Sequence, residues 1–379
     1  MRIVVAPDSY KGSVSALKVA NAIESGILRV FPNAQVIKMP IADGGEGTVA
    51  AMVAATRGRI IYETVTGPLG EPVEAFWGIL GDGNTAVIEM AAASGLPLVP
   101  VNLRNPCITT TYGTGELMKA VLNMGIRSII IGIGGSATND GGAGMAQSLG
   151  AKFLDIKGQE LSYGGSSLAK LHRIDLSGLD SRLGEAEILV ACDVDNPLCG
   201  PTGASTFYGP QKGATPEMID ELDRALEHYA KIAQEVTGKN IIDYPGGGAA
   251  GGLGAGLLLF TKAVLRPGVT IVLEKMNVSN MIKTAQLVIT GEGRTDSQTA
   301  YGKAPVGVAK LAKEYDIPVV CISGGLGNGA DQVLDHGIDA LMSITEQPMT
   351  LEECMEKGEC LIERATARMC RLLKVGNRL

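Results

Sequence analysis

The sequence contains several short runs in which an apolar stretch ends in a glycine-rich loop, and this pattern restricts the fold. The clearest is IIIGIGGSATNDGG, Ile129 to Gly142, where isoleucines give way to glycines, hydroxyl side chains and an aspartate. Other loops after apolar runs are PDSYKGS, ADGGEGT, DVDNP, GEGRTD and GGLGNG. Segments with helical periodicity follow several of them, as at residues 14–31. This order of strand, loop and helix predicts parallel strands joined by right-handed crossovers.

The alternation is interrupted in the middle of the chain. From about Glu63, strand-like runs are separated by the turns GPLGEP and GDGN, which indicates a β-rich segment. The strand–loop–helix order then returns and continues to a C-terminal helix. We therefore expect an α/β protein with two unlike domains. A doubly wound domain with a parallel sheet would comprise residues 1–62 plus 284–379, and a mixed α/β domain would be inserted at 63–283. A simple split near residue 200 is the alternative.

Composition excludes several classes of function. The 379 residues carry a net charge of −7, which disfavours nucleic acid or an anionic membrane as partner, because both require a basic surface. No apolar run approaches the roughly 20 residues that span a bilayer, and we read no signal peptide, so we expect a cytoplasmic protein. The seven cysteines form no C-x-x-C pair and the three histidines lie outside the glycine-rich loops, which argues against zinc and against serine–histidine catalysis.

The glycines point to a ligand. They number 51 of 379 residues, about twice the usual ~7%, and they cluster where apolar runs end, which is where parallel sheets bind ligands. Glycine lets backbone N–H groups approach an anion, and a following helix adds the positive end of its dipole. The same loops carry carboxylates, which would repel an anion unless a cation lay between them. The combination predicts Mg²⁺ bound together with phosphates.

Two familiar nucleotide motifs do not explain the loops. Residues 132–137 satisfy the dinucleotide pattern G-x-G-x-x-A, but so do residues 81–86, which read as a hairpin turn. The polar run Thr138 to Gly142 also stands where a dinucleotide fold would begin its helix. A Walker A loop is absent, because Gly238-Lys239 and Gly302-Lys303 both lack its context. A phosphotransferase with this sequence is therefore not of the P-loop type.

Taken together, the loops closely resemble those of the bacterial-type glycerate kinases (the type-1 family). The segments that carry the resemblance are PDSYKGS (7–13), ADGGEGT (42–48), GIGGSATNDGG (132–142), CDVDNPLCG (192–200), GGGAAGGLG (246–254) and TGEGRTDSQTAYGK (290–303). The resemblance implies transfer of the γ-phosphoryl group of ATP to D-glycerate with Mg²⁺, giving 2-phosphoglycerate or 3-phosphoglycerate. It also implies two unlike α/β domains, one of them Rossmann/flavodoxin-like, with the active site in the cleft between them.

Residue chemistry suggests roles for the loop side chains. Phosphoryl transfer requires donors on the phosphates, acids on the metal and a base near the acceptor hydroxyl. Glu292 and Asp296 are the candidate metal ligands, each with helix capping as the competing role. For the nucleotide the candidates are loop glycines, their polar neighbours and a lysine: Gly134, Gly135, Ser136, Asn139, Asp140, Gly141, Gly142, Gly291, Gly293 and Lys303.

The remaining candidates concern the acceptor. Asp193 is the preferred general base and Asp43 the alternative, since no histidine is present in these loops. Lys11 is assigned to the substrate or to the transferred phosphate. Candidate substrate-binding residues lie in the first two loops: Ser9, Gly44, Gly45, Glu46 and Thr48.

Two other functions fit parts of the pattern. A NAD-dependent oxidoreductase acting on a small hydroxy acid would use the Gly132 loop and an acid about 20 residues on, where Asp155 lies. A non-catalytic protein that binds a small hydroxy acid would leave the clustered carboxylates unexplained. The expected partners are thus small molecules, D-glycerate and ATP, without nucleic acid or membrane, and a homodimer is compatible with the sequence.

Overall fold

The computed structural model describes residues 1–376. Its strands are β1 (Arg2–Val5), β2 (Gln35–Lys38), β3 (Arg59–Thr66), β4 (Pro72–Ile79), β5 (Thr85–Glu89), β6 (Ser128–Gly132), β7 (Lys152–Leu154), β8 (Arg173–Asp175), β9 (Glu187–Ala191), β10 (Val264–Arg266), β11 (Leu287–Thr295), β12 (Val319–Leu326) and β13 (Ala340–Ser343). Its α-helices are α1 (Ala16–Leu28), α2 (Thr48–Thr56), α3 (Ala91–Ser94), α4 (Tyr112–Asn123), α5 (Ala143–Ser148), α6 (Ala204–Tyr208), α7 (Pro216–Thr237), α8 (Ala249–Phe260), α9 (Gly268–Lys275), α10 (Val278–Ile282), α11 (Ala304–Lys313), α12 (Leu351–Glu356) and α13 (Gly358–Gly376).

The chain divides into two compact units. Unit 1 comprises residues 1–43, 50–57 and 269–379, of which 377–379 lie outside the described residues, and unit 2 comprises residues 44–49 and 58–268. The predicted insert ran from 63 to 283. Its start differs because β3 already pairs with β4 from Arg59 onward. Its end differs because Val269 packs against Gly307 of α11, within unit 1.

Unit 1 contains a five-stranded sheet in the order β13-β12-β11-β1-β2, and every neighbouring pair is parallel. Numbered within this unit, the order is 2-1-3-4-5, a doubly wound arrangement whose direction reverses between β1 and β11. The buried side chains of β1, β11 and β12 form a core with α1 and α13. The topology therefore predicts a ligand site beyond the carboxyl ends of β1 and β11.

Unit 2 contains a six-stranded mixed sheet in the order β10-β9-β6-β5-β4-β3. Strands β5, β6, β9 and β10 are parallel, whereas β3 and β4 form an antiparallel edge. A separate antiparallel pair, β7 and β8, completes the strands of this unit in the described part of the chain. The predicted fold class, one parallel-sheet domain and one mixed-sheet domain, is confirmed.

Local sequence explains where the longest helix begins. Thr215 caps α7 by accepting the N–H of Met218, Pro216 occupies the first turn, and Gly238 ends the helix in a left-handed conformation. Leu222, Leu226 and Tyr229 are buried along one face. Neither this helix nor any other within residues 1–376 is long and apolar enough to cross a membrane.

We predict that Gly26→Ala destabilises the protein by about 1–3 kcal/mol, although alanine favours helices. A Cβ at Gly26 of α1 would lie 2.5 Å from the carbonyl oxygen of Glu363 in α13, so the two helices must move apart. Gly376→Ala is the control, because a Cβ there meets no atom within 4 Å, and its effect should stay within about 0.5 kcal/mol. Urea denaturation compares the free energies of unfolding, and equal values for both variants contradict the packing argument.

Candidate active site

In unit 1, a buried carboxylate follows β1. Asp8 is only 4% exposed, and its Oδ1 accepts the backbone N–H of Ser9 at 2.6 Å. Burial, together with the negative charges of Asp43 and Glu292, raises the pKa of Asp8 to about 7, although Lys11 and the Ser9 N–H act against this. The sequence reading overlooked Asp8, since an aspartate after a proline in a loop looks like a turn residue. Its position directly after the first strand was the available signal.

Two predicted catalytic residues form an ion pair beside Asp8. Lys11 Nζ lies 2.9 Å from Asp43 Oδ2, and the Asp43 side chain is the less exposed partner. Asp43 and Lys11 both influence the charge state of Asp8, so the three side chains act as one electrostatic group. The structure thus brings together the ends of β1 and β2, as parallel pairing of those strands requires. Predicted substrate residue Ser9 is half-buried at the same place.

Glu292 contributes a second buried carboxylate from within β11. The strand continues through Thr295, where the sequence indicated a loop after residue 290. Glu292 Oε1 accepts the hydroxyls of Thr299 at 2.7 Å and of Thr295 at 3.1 Å. Burial raises the pKa of Glu292, and these hydroxyls and Lys303 oppose the rise. Oε2 accepts no hydrogen bond in the described part of the chain. This oxygen can therefore coordinate a cation.

Asp296 caps a helix, the role that the sequence allowed as an alternative to metal ligation. Its Oδ1 accepts the N–H of Gln298 at 3.0 Å, and its own backbone N–H donates to Thr299 Oγ1 at 3.1 Å, which forms a capping box for the 3₁₀-helix Ser297–Tyr301. Arg294 and Lys303 lie 3.6 Å and 3.9 Å from its carboxylate. The structure therefore gives Asp296 a capping role, and metal ligation there stays a prediction.

The two glycines predicted to bind nucleotide in this segment lie in β11, not in a loop. A Cβ at Gly291 would lie 2.0 Å from the carbonyl oxygen of Ile322, and one at Gly293 would lie 3.2 Å from Cα of Tyr10. Both glycines thus permit close approach of neighbouring backbone. Gly291 is buried and packs against β12, and its contact with a nucleotide stays a prediction.

In unit 2, two of the predicted glycine-rich loops contact each other. A Cβ at Gly132 would lie 2.3 Å from the carbonyl oxygen of Gly44, and one at Gly134 would lie 3.2 Å from Cα of Gly45. Gly44 also packs on Ala191 at the end of β9, where a Cβ would approach to 2.4 Å. The ends of β6 and β9 therefore meet residues 44–45, as parallel strands in one sheet predict.

The exposed tip of the loop after β6 carries free backbone donors. Gly134 and Gly135 are exposed, and Gly135 has a φ of +78°. Their neighbours are fixed: the Gly135 carbonyl accepts the N–H of Leu96 at 2.8 Å, and Ala137 donates to Ser94 at 3.0 Å. Within residues 1–376, by contrast, the N–H groups of Gly134 and Gly135 donate to no protein acceptor. Two successive free N–H groups form an anion-binding concavity.

Asp140 organises the rest of this loop. It is 1% exposed, and its Oδ2 accepts the N–H of Thr111 at 2.8 Å, the Thr111 hydroxyl at 2.9 Å and the N–H of Gly144 at 3.3 Å. Its Oδ1 accepts the N–H of Gly142 at 3.1 Å. Burial raises the pKa of Asp140, while these donors lower it. With four protein donors around it, this carboxylate is a structural anchor.

The other three residues predicted to bind nucleotide beyond Ser136 are also buried. Asn139 donates to Ser205 Oγ at 2.9 Å, and the Gly141 carbonyl accepts the Tyr229 hydroxyl at 3.1 Å. A Cβ at Gly142 would lie 3.0 Å from Cα of Gly256. The structure thus gives Asn139, Asp140, Gly141 and Gly142 contacts that support the loop, and their contact with a nucleotide stays a prediction.

A further buried acid, Glu89, stabilises the N-terminal end of α2. Its Oε1 accepts the N–H of Val49 at 2.7 Å, and burial raises its pKa while the N–H groups of Val49, Gly47 and Thr48 lower it. Thr48 is fully buried and its hydroxyl donates to the Gly45 carbonyl at 2.7 Å, and its contact with substrate stays a prediction. Glu46 is exposed. Glu89 was not among the predicted functional residues, because the run that contains it was predicted only to form a strand of the sheet.

Asp193, the preferred base in the sequence reading, is exposed after β9. Its Oδ1 accepts the N–H of Gly268 at 2.9 Å. The glycine-rich segment at the start of α8 packs against the buried part of the loop after β6: a Cβ at Gly251 would lie 1.9 Å from the Thr138 carbonyl oxygen. Of the two roles considered for that segment, close packing is the one that the structure supports.

Comparison with known proteins identifies the family. The sequence model of the glycerate kinase family matches residues 3–374. A glycerate kinase of Bacillus subtilis (strain 168) is 57% identical over 368 residues, which cover 97% of this chain and 96% of that protein. The chain belongs to the glycerate kinase family. A glycerate 2-kinase of Escherichia coli K12 is 54% identical over 378 residues, covering 100% and 99% of the two chains.

The fold agrees with this assignment. A crystal structure described as glycerate kinase 2, from Salmonella typhimurium LT2, covers all of this chain and all of its own with a TM-score of 0.92 and 51% identity. The resemblance seen in the sequence is thereby confirmed, and as a glycerate kinase family member the chain is an enzyme of the kinase class. The oxidoreductase alternative is not favoured by these relatives.

The pKa of Asp8 predicts a stability that falls with rising pH. Because the folded pKa is raised from 3.8 to about 7, the folded state keeps a proton between these pH values that the unfolded state loses, so stability decreases as pH rises across this window. Asp8→Asn removes this cost. It should be about as stable as the wild type at pH 4 and more stable at pH 8, by up to about 4 kcal/mol.

Urea denaturation at pH 4, 6 and 8 measures this difference. Asp335→Asn is the matched control, since Asp335 is an exposed carboxylate in unit 1. A gain from Asp8→Asn that is the same at all three pH values contradicts the assignment of the raised pKa to Asp8.

Proposed function

We propose that this enzyme phosphorylates D-glycerate with MgATP as the phosphoryl donor. Membership in the glycerate kinase family supports the substrate, and the relatives named above carry the same activity in their names. The observation that carries the proposal is the pair of free N–H groups on Gly134 and Gly135, at a loop tip whose surroundings are rigidly bonded. Phosphoryl transfer requires such preorganised donors for the phosphate oxygens.

The nucleotide phosphates would bind at this tip. Gly134 and Gly135 offer two backbone donors, and the adjacent Ser136, a residue that is 7% exposed, carries a hydroxyl. Because these N–H groups have no protein acceptor, a phosphate satisfies them without displacing an existing bond. Lys303, half-buried at the start of α11, is a second candidate for the nucleotide phosphates, as the sequence predicts.

The residues present fit a magnesium ion that arrives with ATP. No group of three or more His, Cys, Asp or Glu side chains within residues 1–376 is placed to hold a metal. Mg²⁺ bound to a nucleotide keeps phosphate oxygens and waters as ligands and needs only one or two carboxylates from the protein. Glu292, with Oε2 free of protein donors, would supply one of them. The bound ion would neutralise charge that develops on the transferred phosphoryl group.

Three carboxylates are candidates for the general base. Asp193 and Asp43 come from the sequence, and the structure adds Asp8. A base works best when its pKa lies near the working pH, and the pKa of Asp8 is raised to about 7. Its Oδ2 accepts no hydrogen bond in the described part of the chain. We therefore propose Asp8 as the base, with burial and then the negative charge of Asp43 raising its pKa.

Glycerate carries a carboxylate and needs a cation to hold it. Lys11 is that candidate, because its side chain is more than half exposed and its ammonium pairs with Asp43 beside Asp8. Ser9 would donate to the substrate from the same loop. Gly45 and Glu46, from the loop before α2, stay predicted substrate contacts, whereas Gly44 is buried against Ala191. Cytoplasmic location and a homodimer also stay predictions.

Purified protein incubated with ATP, Mg²⁺ and D-glycerate is expected to form ADP at a rate that depends on glycerate, and EDTA should abolish the reaction. Phosphorus NMR of the product distinguishes 2-phosphoglycerate from 3-phosphoglycerate, a choice decided by placement of the acceptor hydroxyl. Enhanced NADH fluorescence without ADP formation would support the oxidoreductase instead. Glycerate binding without turnover would support the non-catalytic binding protein.

Asp8→Asn should lower kcat by at least about 100-fold, while Kd for MgATP changes less than about threefold, as loss of a general base does. The wild-type kcat/KM should fall as pH drops below about 7, because Asp8 must be deprotonated to accept a proton. Asp43→Asn should shift this fall in kcat/KM to lower pH, since it removes a negative charge near Asp8. Asp193→Asn separates the candidates: a larger loss of kcat in this variant than in Asp8→Asn returns the role of base to Asp193.

A further inference from the structure

Lys212 is a buried lysine that none of the steps above uses. It ends the 3₁₀-helix Pro210–Lys212 in unit 2 and is 1% exposed. Lysine is almost never fully buried unless it is paired, because its ammonium loses its hydration. Burial lowers its pKa to about 7, and the carboxylate of Asp140 partly offsets this. A side chain held at such a cost requires a specific structural reason.

The ammonium group of Lys212 makes a single hydrogen bond in the described part of the chain, to the loop that follows β6. Lys212 Nζ donates to the carbonyl oxygen of Thr138 at 2.6 Å. Thr138 is two residues from Ser136 and three from Gly135, the exposed tip with the free N–H group. The ring of Tyr208 lies on another side of the ammonium, 6.0 Å from Nζ to the ring centre. The lysine therefore fixes the backbone at the buried base of the tip.

The same segment of the chain makes a second contact with this loop. Ser205, in α6, accepts a hydrogen bond from Asn139 Nδ2 at 2.9 Å and is fully buried. Two consecutive loop residues, Thr138 and Asn139, are thus held by a segment that begins in α6 and ends at Lys212. Because Lys212 N–H donates to the Gly209 carbonyl at 3.0 Å, the backbone that carries the lysine is itself ordered.

This part of the loop already buries polar atoms that lack a partner. Thr138 Oγ1 and Asn139 Oδ1 are buried and have no hydrogen-bond partner in the described part of the chain. A Cβ at Gly251 would lie 1.9 Å from the Thr138 carbonyl oxygen, so α8 already crowds that group. Without the ammonium, a third oxygen in the same two residues would be buried without a donor. The loop would then relieve this by moving, and Gly134 and Gly135 would move with it.

We propose that Lys212 is a positioning residue that holds the Gly134–Ser136 tip in the conformation that binds the nucleotide phosphates. It acts through the Thr138 carbonyl and touches no substrate atom. This inference rests on the proposed function, since it takes MgATP as the ligand of the tip.

The test compares Lys212→Met with Lys239→Met. Lys239 is the matched control because its Nζ also donates to backbone carbonyls, those of Leu258 and Thr261, at the other end of α8. Lys212→Met should raise KM for MgATP at least about 10-fold and change KM for D-glycerate less than twofold. Amide hydrogen exchange should accelerate over residues 134–139 and not over α7. Lys239→Met should leave both KM values and exchange of the tip within twofold of the wild type.

Equal KM values for MgATP in the wild type and Lys212→Met overturn the proposal, as does a KM for D-glycerate that rises by the same factor. If Lys212→Met does not fold, Ser205→Ala decides, because it removes the second anchor and keeps the lysine. A rise of about threefold or more in KM for MgATP supports the proposal, and an unchanged value overturns it. Calorimetry separates the two hypotheses: wild-type protein that binds MgATP without phosphorylating glycerate contradicts the proposed function, whereas the change in Kd for MgATP in Lys212→Met still tests Lys212.

Discussion

Backbone lies against backbone in unit 2 at distances that leave no room for a side chain, and the arrangement of its loops depends on this. A Cβ at Gly132 would lie 2.3 Å from the Gly44 carbonyl oxygen, and one at Gly251 would lie 1.9 Å from that of Thr138. Close packing of this kind explains most of the glycines better than ligand contact does. It brings the ends of β6 and β9 against residues 44–45, next to the exposed residues Gly134 and Gly135.

The buried carboxylates divide into two groups by their partners. Asp140 accepts four protein donors and Glu89 accepts backbone N–H groups before α2, so both stabilise loops. Asp8 and Glu292 each keep one oxygen without a protein donor in the described part of the chain. Uncompensated burial of this kind destabilises the fold, as the raised pKa of Asp8 shows, and it persists where a protein uses the charge.

The sequence was sufficient for the order of elements and for the two kinds of sheet, because both follow from local periodicity and from where apolar runs end. It also placed Lys11 and Asp43 after neighbouring strands, which parallel pairing brings together, whereas Glu292 lies within β11 and not after it. It could not decide which loop residues face outward. Asn139 and Asp140 carry side chains typical of ligand contacts, yet both are buried: Asn139 donates to Ser205 of α6, 66 positions away, and Asp140 accepts hydrogen bonds from Thr111.

Asp8 and Lys212 illustrate the same limit. An aspartate in a loop and a lysine before a glycine are ordinary surface residues by composition, and only burial gives them significance. Burial depends on tertiary packing, which no local pattern reports. The family, in contrast, was recognisable from six short segments spread along the chain, and the family model matches residues 3–374.

The central claim is that the N–H groups of Gly134 and Gly135 hold the phosphates of the nucleotide. A crystal structure with a non-hydrolysable ATP analogue, Mg²⁺ and D-glycerate tests it most directly. We expect that structure to show phosphate oxygens within roughly 2.7–3.2 Å of both backbone nitrogens. An ordered triphosphate bound elsewhere, with both N–H groups still free, contradicts it.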